Sequence, residues 1–239
     1  MGAFFNEVTM KLKNPFRTLN KFEITLWVVS LVVVTASFLI PAEKDYLTLI
    51  ASLIGVTALI FVAKGLVIGQ ILCIVFAVFY GIISFAFQYY GEVITYLGMS
   101  APMALMAVIS WAKNPYKGTE TVAVSRVNKK QIIIMTILAI GVTAVMYFVL
   151  WAFNTANLII STISVTTSFV AVYLTYLRSP YYALGYCAND IILIILWVLA
   201  SIEDPANIPM IACFVMFLIN DLYGFINWKR MEKSQGENK

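Results

Sequence analysis

Long apolar stretches alternate with short polar segments along almost the whole chain. Eight of them come close to or exceed the roughly 20 residues that an α-helix needs to cross a bilayer core of about 30 Å. No stretch alternates apolar and polar residues with a period of two, so the pattern predicts helices and not the strands of a β-barrel. The predicted membrane helices are Phe22–Ile40, Tyr46–Ala63, Leu66–Tyr90, Glu92–Trp111, Gln131–Trp151, Ala156–Leu177, Tyr181–Ile202 and Asn207–Trp228.

Composition agrees with this pattern. Of the 239 residues, 62% are hydrophobic and 12% are charged, whereas a soluble domain carries about 25% charged residues. We therefore predict an all-α integral membrane protein with eight transmembrane helices. The first helix follows a polar-rich segment and lacks a small-residue cleavage site, so we expect it to be retained and not removed as a signal peptide.

The basic residues are divided unevenly between the two sides of the predicted bundle. With eight crossings, fifteen of the sixteen Lys and Arg residues fall on the side of the termini, and Lys44 falls on the other side. Cytoplasmic loops carry the excess of Lys and Arg in membrane proteins, so both termini are predicted to be cytoplasmic. The acids predicted in the outer turns are Glu43, Asp45, Glu92, Glu203 and Asp204.

Several kinds of chemistry are excluded by the residue types. The chain has no histidine, and Cys73, Cys187 and Cys213 lie inside apolar stretches without the spacing of a metal site. It has no phosphate-binding Gly-Lys-Ser/Thr loop and no soluble domain in which an enzyme or an ATP-driven pump would be built. We predict no enzyme, cofactor, metal or nucleic-acid partner. The expected partners are the lipid bilayer and a small-molecule substrate.

The chain is predicted to contain an internal repeat. The second to fourth segments end in Ser110–Asn114, the sixth to eighth end in Asn227–Met231, and both endings contain Trp and Lys. One linker helix between the triplets makes them run in the same direction, and parallel repeats of this kind place the substrate near the bilayer midplane between them. The predicted divisions are residues 1–45 (N-terminus and extra helix), 46–114 (first repeat), 115–155 (loop and linker helix), 156–230 (second repeat) and 231–239 (cytoplasmic tail).

Polar residues inside the predicted membrane helices point to a binding site, because such groups are costly in lipid. Asn189 and Asp190 lie near the middle of the seventh helix, and Asn220 and Asp221 lie in the eighth. Amides, hydroxyls and aromatic rings suit a small polar ring compound, and a carboxylate balances a cationic ligand. The candidate substrate-binding residues are Asn189, Asp190, Asn220, Asp221, Gln88, Tyr80, Ser84, Tyr182, Tyr186 and Trp197.

Two other groups of residues have structural interpretations. A serine stripe in the sixth helix is expected to serve helix packing, and the alternative is that it lines the binding cavity. Tryptophans near the ends of helices are expected to lie in the aromatic belts at the membrane surface, and the alternative is a place in the binding pocket. The stripe consists of Ser161, Ser164 and Ser168, and the tryptophans are Trp111, Trp151 and Trp228.

These motifs resemble the PnuC family of bacterial vitamin transporters, whose named member takes up nicotinamide riboside. The similarity extends from Ser52 to Lys229. The residues that carry it are Val62–Gly65, Tyr90–Glu92, Pro102, Met103, Trp111–Asn114, Asn189, Asn220, Gly224, Trp228 and Lys229.

The resemblance implies a three-plus-one-plus-three core like that of the SWEET transporters, with an added N-terminal helix, in the bacterial inner membrane. It also implies facilitated diffusion of a vitamin B3 precursor for NAD biosynthesis, with a cytoplasmic kinase that traps the substrate by phosphorylation. Cavity positions of the family correspond to Asn189 and Asn220, and in the first repeat to Tyr80 and Ser84.

Departures from the family leave the substrate open. Many relatives have Gln in place of Ala104 and Trp in place of Val108 and Gly185, and we expect these positions to line the pocket. Thiamine and deoxynucleosides are therefore alternative substrates, although a carboxylate favours the cationic ring of nicotinamide riboside or thiamine. Proton coupling through Asp190 or Asp221 is a further alternative, and the sequence allows both a monomer and a homo-oligomer.

Overall fold

Eight helices of membrane-spanning length account for nearly all of the structure. The computed structural model describes residues 14–42, 44–86, 90–155 and 157–237, and in these ranges the eight predicted helices are confirmed. They are α1 (Lys21–Phe38), α2 (Tyr46–Ala63), α3 (Val67–Ala86), α4 (Tyr90–Lys113), α5 (Lys129–Ala152), α6 (Leu158–Tyr176), α7 (Tyr182–Glu203) and α8 (Ile208–Glu237). Two 3₁₀ turns, Pro15–Thr18 and Pro205–Asn207, precede α1 and α8.

Polar side chains mark the starts of several helices. Asn20 and Glu23 form a capping box at the start of α1, and Asn128 and Gln131 form the same arrangement at the start of α5. In each box the two side chains satisfy backbone N–H groups that have no partner within the helix. Asp45 caps α2 through the N–H groups of Leu47 and Thr48.

Six of the helices form a closed ring. Following contacts around it, α2 packs against α3, α3 against α4, α4 against α6, α6 against α7, α7 against α8, and α8 returns to α2. Helix α1 packs outside this ring against α2 and α8, whereas α5 packs mainly against α6. Most of α5 is exposed at the surface, and because it is apolar all round, that surface is suited to lipid.

We call the face where α1 begins and α8 ends the terminal face, and the opposite one the distal face. Among the described residues, every Lys and Arg lies at the terminal face except Lys44. Glu23 is fully buried there, where its carboxylate lies 3.2 Å from Lys64 Nζ and accepts a hydrogen bond from Tyr223. These contacts join the start of α1 to α2 and α8.

The first helix of each predicted repeat ends in the same kind of turn. Gly65 follows α2 and Arg178 follows α6, and both adopt positive φ angles, of 72° and 59°. Each turn contains the paired backbone hydrogen bonds of a Schellman motif, which satisfies the last carbonyls of a helix. The matching positions support the division into two repeats, which stays a prediction.

A buried tryptophan pair at the terminal face connects the two halves of the ring, which are α2–α4 and α6–α8. Trp111 Nε1 donates to the Thr175 carbonyl, and Trp228 Nε1 donates to the Val62 carbonyl, each at 2.9 Å. The two rings lie 5.2 Å apart and are almost completely buried. The prediction that these two residues belong to an aromatic belt is therefore wrong, because each indole N–H finds its acceptor on the other half. Trp151, which is 65% exposed, has the surface position that the prediction requires.

Helix α4 differs in two ways from the sequence prediction. The helix begins at Tyr90, so Glu92 lies inside it and is buried, and the expected outer turn at this acid is wrong. From Ile94 to Ser100 the helix has π geometry. This wider turn changes the direction of the following side chains, and such segments are frequent at functional sites.

Candidate functional site

A cavity of about 70 Å³ lies at the centre of the six-helix ring. Each ring helix contributes to its wall, and the described residues that line it include none from α1 or α5. The wall is apolar with a few convergent polar groups, which is typical of a small-molecule site. The polar and aromatic lining residues are Gln70, Cys73, Phe76, Tyr96, Ser100, Ser168, Tyr186, Asn189, Asp190, Phe214, Phe217 and Asp221.

Asn189 is held in place by the serine stripe of α6. Its Oδ1 accepts hydrogen bonds from Ser164 at 3.3 Å, Thr167 at 2.9 Å and Ser168 at 3.0 Å. Since the oxygen is engaged by hydroxyl groups, the NH₂ group is what Asn189 offers to a ligand. Ser164 and Ser168 therefore do more than pack helices, because they orient a cavity side chain.

Asp190 and Asp221 form a carboxyl pair in the wall of the cavity. Both are almost fully buried, and their side chains are in hydrogen-bonding contact across α7 and α8. Asp190 Oδ2 has no hydrogen-bond partner among the described residues. Two ionised carboxylates in contact repel each other, so a buried pair needs a shared proton or a cation. The pair can thus bind a cationic group or carry a proton.

Aromatic residues close the cavity toward the distal face. Tyr80 is fully buried, its ring centroid lies 4.2 Å from that of Tyr96, and its hydroxyl accepts a hydrogen bond from Trp197 Nε1 at 3.1 Å. Phe76 stacks on Tyr80 at 5.5 Å. Tyr96 and Phe76 line the cavity, whereas Tyr80 and Trp197 lie behind them. This layer separates the cavity from the distal side.

The opposite wall faces the tryptophan pair. The Tyr182 ring lies 4.9 Å from Trp228 and 6.1 Å from Tyr186, which lines the cavity. Trp111, Trp228 and Tyr182 belong to one buried cluster. The cavity is therefore closed by aromatic rings on both sides.

A second pocket, of about 270 Å³, lies beyond the aromatic layer. We call it the distal pocket, because it lies between the distal ends of α4, α6 and α7. Its lining residues include Glu92, Thr155, Asn157, Ser161, Trp197 and Glu203. Trp197, a candidate from the sequence, thus belongs to this pocket and not to the central cavity.

The structure brings only some of the candidates together. Four line the central cavity, and Tyr80, Tyr182 and Trp197 lie at its two aromatic ends. Asn220 faces α1, where its Nδ2 donates to Ser30 Oγ at 3.0 Å, and Ser84 is buried without lining either pocket. Gln88 lies outside the described residues. The four cavity candidates are Tyr186, Asn189, Asp190 and Asp221.

The lining residues that were not among the candidates from the sequence include Gln70, Tyr96 and Ser100. Gln70 is a buried amide in an otherwise apolar stretch, and the rule that singled out Asn189 would have found it. Tyr96 and Ser100 reach the cavity through the π segment of α4, for which the sequence holds no comparable signal.

The three residues that depart from the family pattern lie in different surroundings. Ala104 lines the cavity, whereas Val108 is buried without lining it. Gly185 faces α6, where an added Cβ would lie 2.9 Å from the Ala171 Cα. The expectation that all three line the pocket is therefore wrong for Val108 and Gly185, and glycine is required at 185 by close helix packing.

Comparison with known proteins decides the family. The sequence profile of the family described as "nicotinamide mononucleotide transporter" matches residues 45–230. The chain belongs to this family. Among its relatives is the nicotinamide riboside transporter PnuC of Neisseria mucosa, 25% identical over 215 residues, which are 87% of this chain and 81% of the relative. The protein of the same name from Haemophilus influenzae is 23% identical over 216 residues, 89% of this chain and 91% of the relative.

The fold is also that of a solved family structure. The crystal structure of the vitamin B3 transporter PnuC covers 91% of this chain and 94% of its own length, with a TM-score of 0.80 and 24% sequence identity. Members of the family are membrane transporters, so this chain is a multi-pass membrane transporter and not an enzyme. The resemblance to the PnuC family that the sequence motifs indicate is therefore confirmed.

Proposed function

We propose that this protein takes up nicotinamide riboside by facilitated diffusion, through the central cavity. The observation that carries the proposal is the composition of the cavity wall, which combines a carboxyl pair with an oriented amide and aromatic rings. The pyridinium ring of nicotinamide riboside is a fixed cation, which a carboxylate attracts and an aromatic ring stacks on. The names of the two PnuC relatives support the same substrate.

The size of the cavity supports a carrier that changes shape. Its 70 Å³ is far below the roughly 300 Å³ at which pockets for small organic ligands begin. Substrate binding therefore requires the two halves to move apart. We infer that they rock about the site and open it to one face at a time, as in other transporters built from repeats.

The charge distribution supports a direction for uptake. Since Lys and Arg concentrate at the terminal face, we infer that both termini are cytoplasmic and that the distal face is outside. A uniporter can only equilibrate its substrate, so accumulation above the outside concentration would depend on a cytoplasmic kinase that phosphorylates nicotinamide riboside. The expected location is the bacterial inner membrane, where the functional unit is a monomer or a homo-oligomer.

The test is uptake of labelled nicotinamide riboside into liposomes that contain only the purified protein. We expect saturable uptake that unlabelled nicotinamide riboside blocks and that thiamine, deoxyuridine and riboflavin do not. Uptake blocked by thiamine or deoxyuridine instead would assign the cavity to that compound and overturn the proposed substrate. Empty liposomes and the Asp190→Asn/Asp221→Asn double variant are the controls.

The contact between Asp190 and Asp221 favours a second candidate, which is proton-coupled transport. A shared proton that leaves when the substrate binds would couple the two movements. In kinase-free liposomes with an imposed pH gradient, coupling predicts accumulation that a protonophore abolishes. An initial rate that is independent of the gradient and of the protonophore would rule it out.

A further inference from the structure

The distal pocket contains a buried carboxyl group without a partner. Glu92 is 9% exposed, it lines the pocket, and its Oε2 has no hydrogen-bond partner among the described residues. The buried Glu23 of α1 differs, because Lys64 and Tyr223 both contact its carboxylate. A buried carboxyl group is stable as an anion only with a cation or hydrogen-bond donors around it. A ligand with a positive group can supply the partner that the Glu92 carboxylate lacks.

The other walls of the pocket suit the same kind of ligand. Trp197 provides an aromatic surface, and the Oγ1 of Thr155 is a hydroxyl without a hydrogen-bond partner among the described residues. Cationic rings bind best where an aromatic face and a carboxylate are close together. The volume of about 270 Å³ is several times that of the central cavity and near the lower end for small-molecule pockets.

The distal pocket leads to the central cavity through the aromatic layer. Trp197 lines the pocket and donates its indole N–H to Tyr80, and the Tyr80 ring contacts Tyr96, which lines the cavity. Glu92 lies on α4 about one turn before Tyr96. These rings thus lie between a ligand in the distal pocket and the cavity, packed in one cluster with the buried Leu193.

We propose that the distal pocket is a second, transient binding site for the cationic substrate, where Glu92 holds the charged ring beside Trp197 before Tyr80 and Tyr96 move aside. The proposal rests on the proposed function and adds a site on the route to the central cavity. It assigns Glu92 to substrate capture and not to helix packing.

The experiment compares four proteins in liposomes with the distal face outside: the unchanged chain, Glu92→Gln, Glu92→Asp and Asp204→Asn. Initial uptake of labelled nicotinamide riboside is measured over a range of concentrations. Loss of the Glu92 charge is expected to raise KM about tenfold with kcat nearly unchanged, because a charge-assisted contact is lost. Glu92→Asp should restore most of the affinity. Asp204 lies at the same face but is exposed and is not among the residues that line the pocket. Asp204→Asn keeps the side-chain oxygen that accepts from Ala206 N–H, and it should change KM less than about twofold because solvent screens the charge at this position.

The possible results separate the two proposals. If the unchanged chain takes up nicotinamide riboside but Glu92→Gln leaves KM unchanged, the distal site is refuted and the proposed function stands. If Glu92→Gln and Glu92→Asp lower kcat and the melting temperature together, Glu92 is structural and the distal site is again refuted. If the unchanged chain shows no saturable uptake, the proposed function fails and the distal site fails with it.

Discussion

The tryptophan pair at the terminal face offers a direct test of how the carrier opens. If the halves separate there, the hydrogen bonds from Trp111 to Thr175 and from Trp228 to Val62 must break. Replacing both tryptophans with phenylalanine keeps an aromatic ring at each position and removes both indole donors. We expect the Trp111→Phe/Trp228→Phe variant to open more often to the terminal face.

The free-energy cost of losing each indole hydrogen bond depends on whether its acceptor has a second donor. The Val62 carbonyl also accepts from Gly65 N–H, and the Thr175 carbonyl also accepts from Arg178 N–H. Neither acceptor would be left without a partner, so each substitution should cost about 0.5–1.5 kcal/mol and not the larger penalty of an unsatisfied buried group. The double variant then shifts the equilibrium by about 1–3 kcal/mol, or roughly 5- to 150-fold. The smaller phenylalanine rings would shift it in the same direction.

A native thiol can report this opening. Cys73 lines the central cavity, and Cys187 and Cys213 can be replaced with alanine so that Cys73 is the remaining thiol. The assay is the rate at which a membrane-impermeant maleimide labels Cys73 from the terminal face in inside-out vesicles. We expect the rate to rise by several-fold in each single variant and further in the double variant.

The matched control is Trp151→Phe. This tryptophan is 65% exposed on α5, away from the contact between the halves, so its loss should leave the labelling rate unchanged. A labelling rate in the double variant equal to that of the unchanged chain would refute the reasoning. Equal increases in the double variant and in Trp151→Phe would mean that the effect does not arise at the contact between the halves, which would also refute the reasoning.

Three further predictions concern single residues. Asp190→Asn should raise the KM for nicotinamide riboside about tenfold, because the substitution removes one carboxylate from the cavity. An unchanged KM in the liposome uptake assay would exclude Asp190 from substrate binding. Glu23→Gln should lower the free energy of unfolding by about 1–3 kcal/mol, because the buried carboxylate contacts Lys64 and Tyr223. The melting temperature in detergent measures this effect. The control is Glu237→Gln, which should change it little because the Glu237 pairing with Lys233 at 3.8 Å is exposed. Arg178→Gly should raise the free energy of unfolding by about 1 kcal/mol, because glycine adopts the positive φ angle without strain. Gly65→Ala at the equivalent turn should lower the free energy of unfolding for the same reason. A lower melting temperature in Arg178→Gly would contradict the strain argument.

The number of helices, their approximate limits and the uneven distribution of charge could all be predicted from the sequence. The reason is that a lipid core requires long apolar segments with every backbone group paired inside a helix. This requirement acts on each segment separately and is visible as a run of residues. It also made the buried polar residues conspicuous, and Asn189, Asp190 and Asp221 do lie together in the cavity.

The tertiary structure alone decided which face of each helix lines the cavity. In a membrane protein, the surfaces toward lipid and toward other helices are both apolar, so hydrophobic periodicity does not distinguish them. Neighbouring residues can therefore point to different partners, as Asn220 does toward Ser30 of α1 while Asp221 faces the cavity. For the same reason Trp111 and Trp228 look like belt residues in the sequence, although their positions between the two halves depend on acceptors that are far away along the chain.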